Sequence, residues 1–166
     1  MPTFSLAAPA QRSGALEAWR AANRARGDAP APSRIARVKT KLADRSALLV
    51  VGCDGETVIA MALAEPARQD LGAGLTLPTT GHISMVFVAP ERWRQGIGTQ
   101  LMDYLHDQMR ARGWHLASLW RRASNQPARR LYTGRGYRET ADIKALDGRD
   151  EIVRYELRLR LCPARS

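Results

Sequence analysis

The chain has only two cysteines, Cys53 and Cys162, and they lie far apart in the sequence. A closed zinc site needs four ligands, usually in close pairs, and a disulfide framework needs several cysteines, so neither is indicated. No apolar run approaches the roughly 18 residues that a membrane-spanning helix needs. The opening residues, MPTFSLAAPAQR, lack both a basic leader and a long apolar segment. We therefore expect a soluble cytoplasmic protein that contains no metal and does not associate with membranes.

The charge balance is strongly basic, with 26 Lys and Arg against 16 Asp and Glu and a formal net charge of +10 in 166 residues. Such a charge attracts anionic partners, including nucleic acid, acidic proteins and coenzyme A. The arginines are scattered and are not gathered into a basic arm with interleaved aromatic residues, which disfavours nucleic acid. The length fits one domain with a single core, so we expect residues 1–166 to form one domain.

The spacing of apolar residues predicts an α/β chain, in which helical periodicity alternates with strand periodicity. Helices are predicted over Gln11–Arg26, Ser33–Ala43, Thr99–Arg112 and Gln126–Arg135. Strands are predicted over Thr3–Ala7, Ala47–Cys53, Thr57–Leu63, His82–Val88, Trp114–Trp120, Tyr137–Ala145 and Val153–Leu161. The strand His82–Val88 is apolar at nearly every position, which is typical of a strand covered on both faces.

The connections between these segments differ in length and composition. The pairs Asp54-Gly55 and Asp147-Gly148 tolerate positive φ, which predicts two tight hairpin turns. Arg68–Thr80 is rich in Gly, Thr and Pro and predicts a long loop. Loops of this length inside a domain are often functional, so this segment is expected to border a substrate site.

A glycine-rich segment follows the strand that ends at Val88 and opens the long helix: Arg92-Trp93-Arg94-Gln95-Gly96-Ile97-Gly98-Thr99. The first turn of a helix has unpaired N–H groups and the positive end of the helix dipole, so it suits an anion. Gly96 and Gly98 let a phosphate approach the backbone, and Arg92 and Arg94 can donate to it. The alternative is a turn that serves only helix packing. The segment fits neither the dinucleotide fingerprint nor the Walker A loop.

Two segments resemble motifs of the GNAT acyltransferase superfamily. V-x-P-E-R-W-R-Q-G-I-G-T-Q-L-M is similar to motif A, and Asn125-x-x-Ala128-x-x-Leu131-Tyr132 with Gly136-Tyr137 is similar to motif B. One position departs from motif A, because Trp93 stands where the family usually has Arg or Gln, three residues before the first glycine. The resemblance implies a mixed, mostly antiparallel sheet of about six or seven strands flanked by about four helices.

The resemblance also implies the donor and the residues that hold it. Acetyl-CoA would be the cofactor, CoA the product, and no metal would be needed. The backbone of Phe87 and Val88 would pair with the pantetheine arm, while Asn125 would bond the arm from the other side. The pyrophosphate would lie on the residues of the loop and helix start, with one arginine of the later helix among the binding residues. These are Arg94, Gln95, Gly96, Ile97, Gly98, Thr99 and Arg130.

The reaction implied is direct attack of an amine on the thioester. Tyr132 matches the family tyrosine near the sulfur, and a phenol of pKa about 10 can donate to a departing thiolate. His82 stands where the family often has a glutamate base, and an imidazole of pKa about 6.5 suits that task. The alternatives are a water oriented by Ser84 or by Asp70, and a water chain without a dedicated base. His106 and His115 are expected at the surface.

The acceptor is the least determined part of the interpretation. By resemblance it would be bounded by Gly27–Pro32, Arg68–Thr80 and Ala141–Arg149. Charged side chains in or near these segments suit either a cationic or an acidic acceptor, although each is expected to be solvated. A cationic amine could be attracted by Asp28, Asp70, Asp142 and Asp147. Arg121 and Arg122 could hold either an acidic acceptor or the CoA phosphates.

The leading hypothesis is an N-acetyltransferase for a small-molecule amine. Acetylation of a protein N-terminus or lysine is its rival. A non-catalytic acyl-CoA-binding or nucleic-acid-binding module is the alternative from another class. Both a monomer and a homodimer are compatible with the sequence, the dimer through the C-terminal strand.

Overall fold

The computed structural model of the chain describes residues 1–146 and 150–160. The strands are β1 (Thr3–Leu6), β2 (Leu48–Asp54), β3 (Thr57–Arg68), β4 (Thr76–Val88), β5 (Leu116–Arg122), β6 (Arg138–Ala145) and β7 (Glu151–Arg158). The helices are α1 (Arg12–Ala25), α2 (Pro32–Ala43), the four-residue turn α3 (Gln69–Gly72), α4 (Ile97–Ala111) and α5 (Gln126–Gly134). Short 3-10 turns lie at Pro9–Gln11 and Pro90–Arg92. None of the helices in the described ranges is long and apolar enough to cross a membrane.

The strands form one seven-stranded sheet with the order β1-β2-β3-β4-β5-β7-β6. Antiparallel pairing joins β1 with β2, β2 with β3, β5 with β7 and β6 with β7. The pairing of β4 with β5 is parallel. The predicted α/β class, with a mixed and mostly antiparallel sheet, is confirmed.

The chain groups into two compact units that interleave in sequence. The first unit comprises Met1–Glu65 and Met85–Asp107, and the second comprises Pro66–Ser84 and the chain from Gln108 onward. Because β4 and α4 each pass from one unit to the other, the division falls within elements and not at linkers. The expectation of a single domain stays a prediction.

The first unit has a core formed by apolar stripes of α1 and α2 and by residues of β2, β3 and β4. Trp19 is 1% exposed, and its neighbours in the cluster recur at the helical spacing that the sequence predicted. The cluster comprises Ala15, Leu16, Ala18, Trp19, Val38, Leu42, Val51, Cys53, Met61, Leu63 and Met85. The hairpin between β2 and β3 is confirmed, since Asp54 pairs with Thr57 and Gly55 has φ +60°.

The long loop predicted over Arg68–Thr80 is wrong. β3 continues to Arg68 and β4 begins at Thr76, so only the short segment between them connects the strands. In that segment Asp70 and Leu71 have φ of 51° and 54°, in the left-handed region. Its ends are joined by a hydrogen bond from the Gln69 N–H to the Leu75 carbonyl of 2.8 Å. The loop was predicted because Thr and Pro are common at residues 76–80. A strand can nevertheless contain such residues where it is exposed.

The expectation that His82–Val88 is covered on both faces is also wrong. Ile83 and Met85 are buried, whereas the residues that alternate with them, His82, Ser84 and Val86, are only half-buried. One face of β4 is therefore packed, and the other remains partly accessible.

The second unit contains β5, β6, β7 and α5. Val153 and Tyr155 of β7 are buried, and Arg154 and Glu156 between them are half-buried, so the predicted alternation is confirmed over the described part of the strand. Leu161 and the pair Asp147-Gly148, predicted as a strand end and a hairpin, lie outside the described residues.

Gly81 is a point of close packing in the second unit. A Cβ at this position would lie 2.3 Å from Cε3 of Trp114 and 2.6 Å from the Cε of Met109. The indole, which is 4% exposed, has no free space to move into. Only glycine fits beside His82 on this part of β4.

We predict that Gly81→Ala lowers the free energy of unfolding by about 1–3 kcal/mol, the usual cost of overpacking a core. Gly134→Ala is the matched control, because no atom lies within 4 Å of its added Cβ and the residue is helical. That substitution should be neutral or stabilise by up to about 1 kcal/mol. Urea unfolding followed by tryptophan fluorescence measures both. Equal stabilities of the two variants would contradict the packing argument.

Candidate functional site

The glycine-rich loop lies in the first unit, between β4 and α4. Gly96 has φ +76°, and a Cβ there would meet no atom within 4 Å. The space beside this backbone is therefore open to a ligand, and α4 begins immediately after it at Ile97. Because the first N–H groups of a helix lack intrahelical partners, the loop can receive an anion.

The two arginines of the loop differ in their surroundings. Arg92 donates from Nη2 to Oδ2 of Asp54, so its charge is already paired. Arg94 is exposed and, within the described residues, makes no ion pair. Its φ of 62° is in the left-handed region, which is unfavourable for a residue with a Cβ. Of the two cations predicted to reach a phosphate, only Arg94 has no protein carboxylate as partner.

Trp93, the residue that departs from motif A, is anchored to the end of β4. Its indole N–H donates to the Val88 carbonyl with an N–O distance of 2.7 Å. The guanidinium carbon of Arg26 lies 5.7 Å from the centre of the Trp93 ring and 5.7 Å from the centre of the Phe87 ring. Phe87 also packs against the core cluster of the first unit. The end of β4 is thus fixed by the Trp93 hydrogen bond and by the packing of Phe87 against the core.

Asn125 lies in the second unit and caps α5. Its Oδ1 accepts a hydrogen bond from the Ala128 N–H at 3.2 Å, as the N-cap interpretation predicted. The side-chain amide N–H groups are left to donate elsewhere. Arg130, predicted to bind the cofactor, is exposed on the same helix.

Arg121 was expected to be solvated, and that expectation is wrong because the side chain is 6% exposed. Its Nη1 donates to the carbonyls of Arg122 at 2.7 Å, Ala123 at 2.9 Å and Asn125 at 3.3 Å. Its Nη2 donates to the Tyr155 hydroxyl at 3.1 Å. A buried cation satisfied in this way fixes the turn that carries Asn125.

Tyr132 is buried beside Tyr137, with ring centres 5.8 Å apart and planes tilted by 59°. Burial raises the pKa of the Tyr137 hydroxyl well above its ordinary value of 10.0, and the Tyr132 phenol acts in the same direction. The nearby Arg110 acts in the opposite direction. The surroundings of Tyr137 therefore favour its protonated phenol.

His82 lies opposite Ser118 in the parallel pairing of β4 with β5. Its Nδ1 is 2.9 Å from Oγ of Ser118, which is 1% exposed. Ser84, the alternative to His82, has a buried Oγ without a hydrogen-bond partner in the described part of the chain. A histidine whose Nδ1 is engaged by a hydroxyl has its ring orientation fixed.

The remaining predicted residues are placed as follows. His115 is exposed as expected, but His106 is 4% exposed, so its assignment to the surface is wrong. It lies one residue after Leu105 on the packed side of α4. The spacing of apolar residues did not indicate its burial, because a polar residue is not counted in that pattern. Asp28 pairs with Arg34 at 3.0 Å.

The acidic residues of the second unit are also placed, apart from Asp147, which lies outside the described residues. Asp142 pairs with Arg154 at 3.3 Å, and Asp70 is exposed. No group of three or more His, Cys, Asp or Glu able to hold a metal occurs among residues 1–146 and 150–160.

The candidate residues thus fall into two sets. The first unit brings together Phe87, Val88 and the loop from Arg94 to Thr99, and the second unit contains His82, Asn125, Arg130 and Tyr132. Sequence reasoning missed Ser118 and the Arg26 contact. No sequence motif indicates either of them. The position of Ser118 beside His82 depends on strand register, and the Arg26 contact depends on packing between distant segments.

Comparisons with known proteins identify the family of this chain and support its fold. Residues 15–137 match the Acetyltransferase (GNAT) family. Ribosomal-protein-S18-alanine N-acetyltransferase from Escherichia coli has a similar structure, with a TM-score of 0.77 and 21% identity, and the match covers 99% of this chain and 97% of that one. A comparison with curated proteins gives no match.

Two further solved structures share the fold. A Salmonella typhimurium protein solved with its cofactor acetyl-CoA has a TM-score of 0.74 and 20% identity, with 100% of this chain and 98% of that one covered. Aminoglycoside 6'-acetyltransferase type Ii has a TM-score of 0.72 and 17% identity, with 97% and 99% covered.

We predict that Tyr137→Phe flattens the alkaline decline of stability. The pKa of Tyr137 is raised in the folded state, so above pH 10.0 the unfolded chain releases a proton that the folded chain retains. Stability then falls with rising pH, by up to about 1.4 kcal/mol for each pH unit. Urea unfolding between about pH 9 and about pH 11 measures the slope. Identical slopes for the wild-type chain and the variant would contradict this placement of Tyr137.

Proposed function

Since the chain belongs to the Acetyltransferase (GNAT) family, we propose that it moves an acetyl group from acetyl-CoA to the primary amine of a small molecule. The observation that carries the proposal is the open backbone at Gly96, in the left-handed region directly before the first turn of α4. This geometry suits a pyrophosphate, because several N–H groups and the helix dipole act on the same anion.

The donor would be held chiefly by backbone groups. The amides from Gln95 to Thr99 bind the pyrophosphate, and the exposed Arg94 adds charge. The backbone of Phe87 and Val88 pairs with the pantetheine arm. Since Asn125 uses its oxygen to cap α5, its side-chain N–H groups are available to donate to a carbonyl of the arm. Arg130 contributes an exposed cation.

The transfer would proceed in a ternary complex. The acceptor ammonium first loses a proton, its nitrogen then forms a bond to the thioester carbon, and the carbon–sulfur bond breaks. His82 accepts the proton at Nε2, which requires the neutral ring to carry its hydrogen on Nδ1 and to donate it to Oγ of Ser118. Tyr132 donates its phenolic proton to the departing thiolate, and CoA leaves as the thiol. The new amide nitrogen then gives up its second proton, which returns to the Tyr132 phenolate, so that the one proton released overall is the one on His82.

The acceptor belongs to one of two classes, a small-molecule amine or a protein N-terminus. Similarity to an aminoglycoside acetyltransferase supports a small-molecule amine, and similarity to a ribosomal-protein alanine acetyltransferase supports a protein N-terminus. Release of CoA from acetyl-CoA, measured with aminoglycosides, polyamines and amino acid derivatives beside peptides with a free N-terminus, distinguishes them. Turnover of peptides alone would replace the small-molecule acceptor by a protein.

We predict that Gly96→Trp abolishes acetyl-CoA binding in calorimetry, because the indole fills the space that the phosphates need. Gly113→Trp is the matched control, since Gly113 follows the other end of α4, has φ +88° and also has open space around its added Cβ. Tyr132→Phe should keep the affinity and lose about 10²–10⁴ in kcat, the range of acid catalysis. If the wild-type chain binds no acetyl-CoA, or if both tryptophan variants bind equally, the phosphate site is wrong.

We predict that His82→Gln lowers kcat by about 10²-fold or more, while acetyl-CoA affinity stays unchanged. Ser118→Ala should lower kcat less, because the ring remains but its orienting partner is lost. His115→Gln, an exposed histidine at the start of the neighbouring strand, is the control. Full activity of His82→Gln across the pH range would assign the proton to a water chain.

A further inference from the structure

Arg26 occupies an unusual position at the C-terminal end of α1. Its guanidinium carbon lies 5.7 Å from the ring centre of Phe87 and 5.7 Å from that of Trp93, so one cation contacts two aromatic rings. The residue is exposed. Among the described residues it has no carboxylate partner, whereas Arg24 on the same helix pairs with Glu17 at 3.6 Å.

The rings that contact Arg26 are themselves fixed. The Trp93 indole is tied to the Val88 carbonyl by its 2.7 Å hydrogen bond, and Phe87 packs against the core cluster of the first unit. Attraction between a cation and aromatic faces restricts the guanidinium without neutralising its charge. No described residue accepts a side-chain hydrogen bond from Arg26, so its N–H groups can donate to an anion.

This charge lies beside the residue that opens the phosphate loop. Trp93 directly precedes Arg94, and Arg92 on its other side is paired with Asp54. The loop therefore lacks a cation at the position of Trp93, and Arg26 is held against that side chain from another helix.

We propose that Arg26 is a binding residue for the phosphates of acyl-CoA and supplies the charge that Trp93 does not carry. The guanidinium would donate to phosphate oxygens of a ligand lying on the Gly96 loop. Guanidinium and phosphate form charge-assisted hydrogen bonds, often bidentate, which are about twice as strong as neutral ones. The inference rests on the proposed acetyl-CoA site, and its experiment separates the two.

The test compares Arg26→Gln with Arg24→Gln in calorimetry with acetyl-CoA. Losing a charge-assisted contact should weaken binding about tenfold in Arg26→Gln and make the affinity less dependent on salt. Arg24→Gln, which changes a neighbouring cation that is paired within the helix, should retain wild-type affinity. Turnover of S-acetylpantetheine, which has no pyrophosphate and no adenine nucleotide, should be equal in both variants.

A second pair of variants tests the compensation directly. Trp93→Arg places a cation in the loop itself, so adding Arg26→Gln to it should cost less affinity than the same change in the wild-type chain. If Arg26→Gln lowers acetyl-CoA affinity by the same factor in both backgrounds, Arg26 does not compensate for the missing cation at position 93.

Unchanged acetyl-CoA affinity in Arg26→Gln would overturn the inference and leave the proposed acetyl-CoA site intact. If Arg26→Gln lowers turnover of S-acetylpantetheine by the same factor as it lowers acetyl-CoA affinity, the role of Arg26 is packing alone. No binding by the wild-type chain would instead refute the proposed function.

Discussion

The parallel pairing of β4 with β5 is the constraint on which the rest of the site depends. Thr80–Ile83 lie beside Leu116–Leu119, and parallel neighbours need a long crossover between them. The crossover is α4 with the loop before it, so a helix N-terminus follows the end of β4 as a consequence of topology. The same register places His82 opposite Ser118. One strand pairing therefore determines both the position of the proposed anion site and the residue that lies opposite the histidine.

The parts of this arrangement that could be predicted depend on local patterns. Amphipathic spacing predicted four helices within a few residues, and the glycines around Ile97 indicated the connection between β4 and α4. The failures involve residues whose surroundings come from distant segments. Arg121 is buried because the Tyr155 hydroxyl and three turn carbonyls take its donors, and no sequence period encodes that. Thr76, Pro78 and Thr79 lie on exposed positions of β4, and this composition is typical of a loop.

Backbone strain in the loop has a consequence for its charge. Gly96 adopts positive φ without cost, but Arg94 does so with a Cβ, which costs about 1–2 kcal/mol. Glycine would be the relaxed choice at position 94, and the chain has a cation there instead. Because Arg92 is paired and Trp93 is neutral, a strained Arg94 is the loop's own remaining positive charge. The cost in stability is consistent with a position selected for binding an anion.

Phosphate binding and acyl transfer require opposite electrostatic surroundings. Phosphates carry fixed negative charge, so exposed arginines on the loop and on α1 favour them even in solvent. The thiolate instead needs a neutral donor whose proton is retained until the carbon–sulfur bond breaks. Tyr132 lies in a buried pair with Tyr137, and burial raises the pKa of Tyr137, so these surroundings oppose ionisation of the Tyr137 phenol. Arg110 is the cation that acts on Tyr137, and its effect is smaller than that of burial.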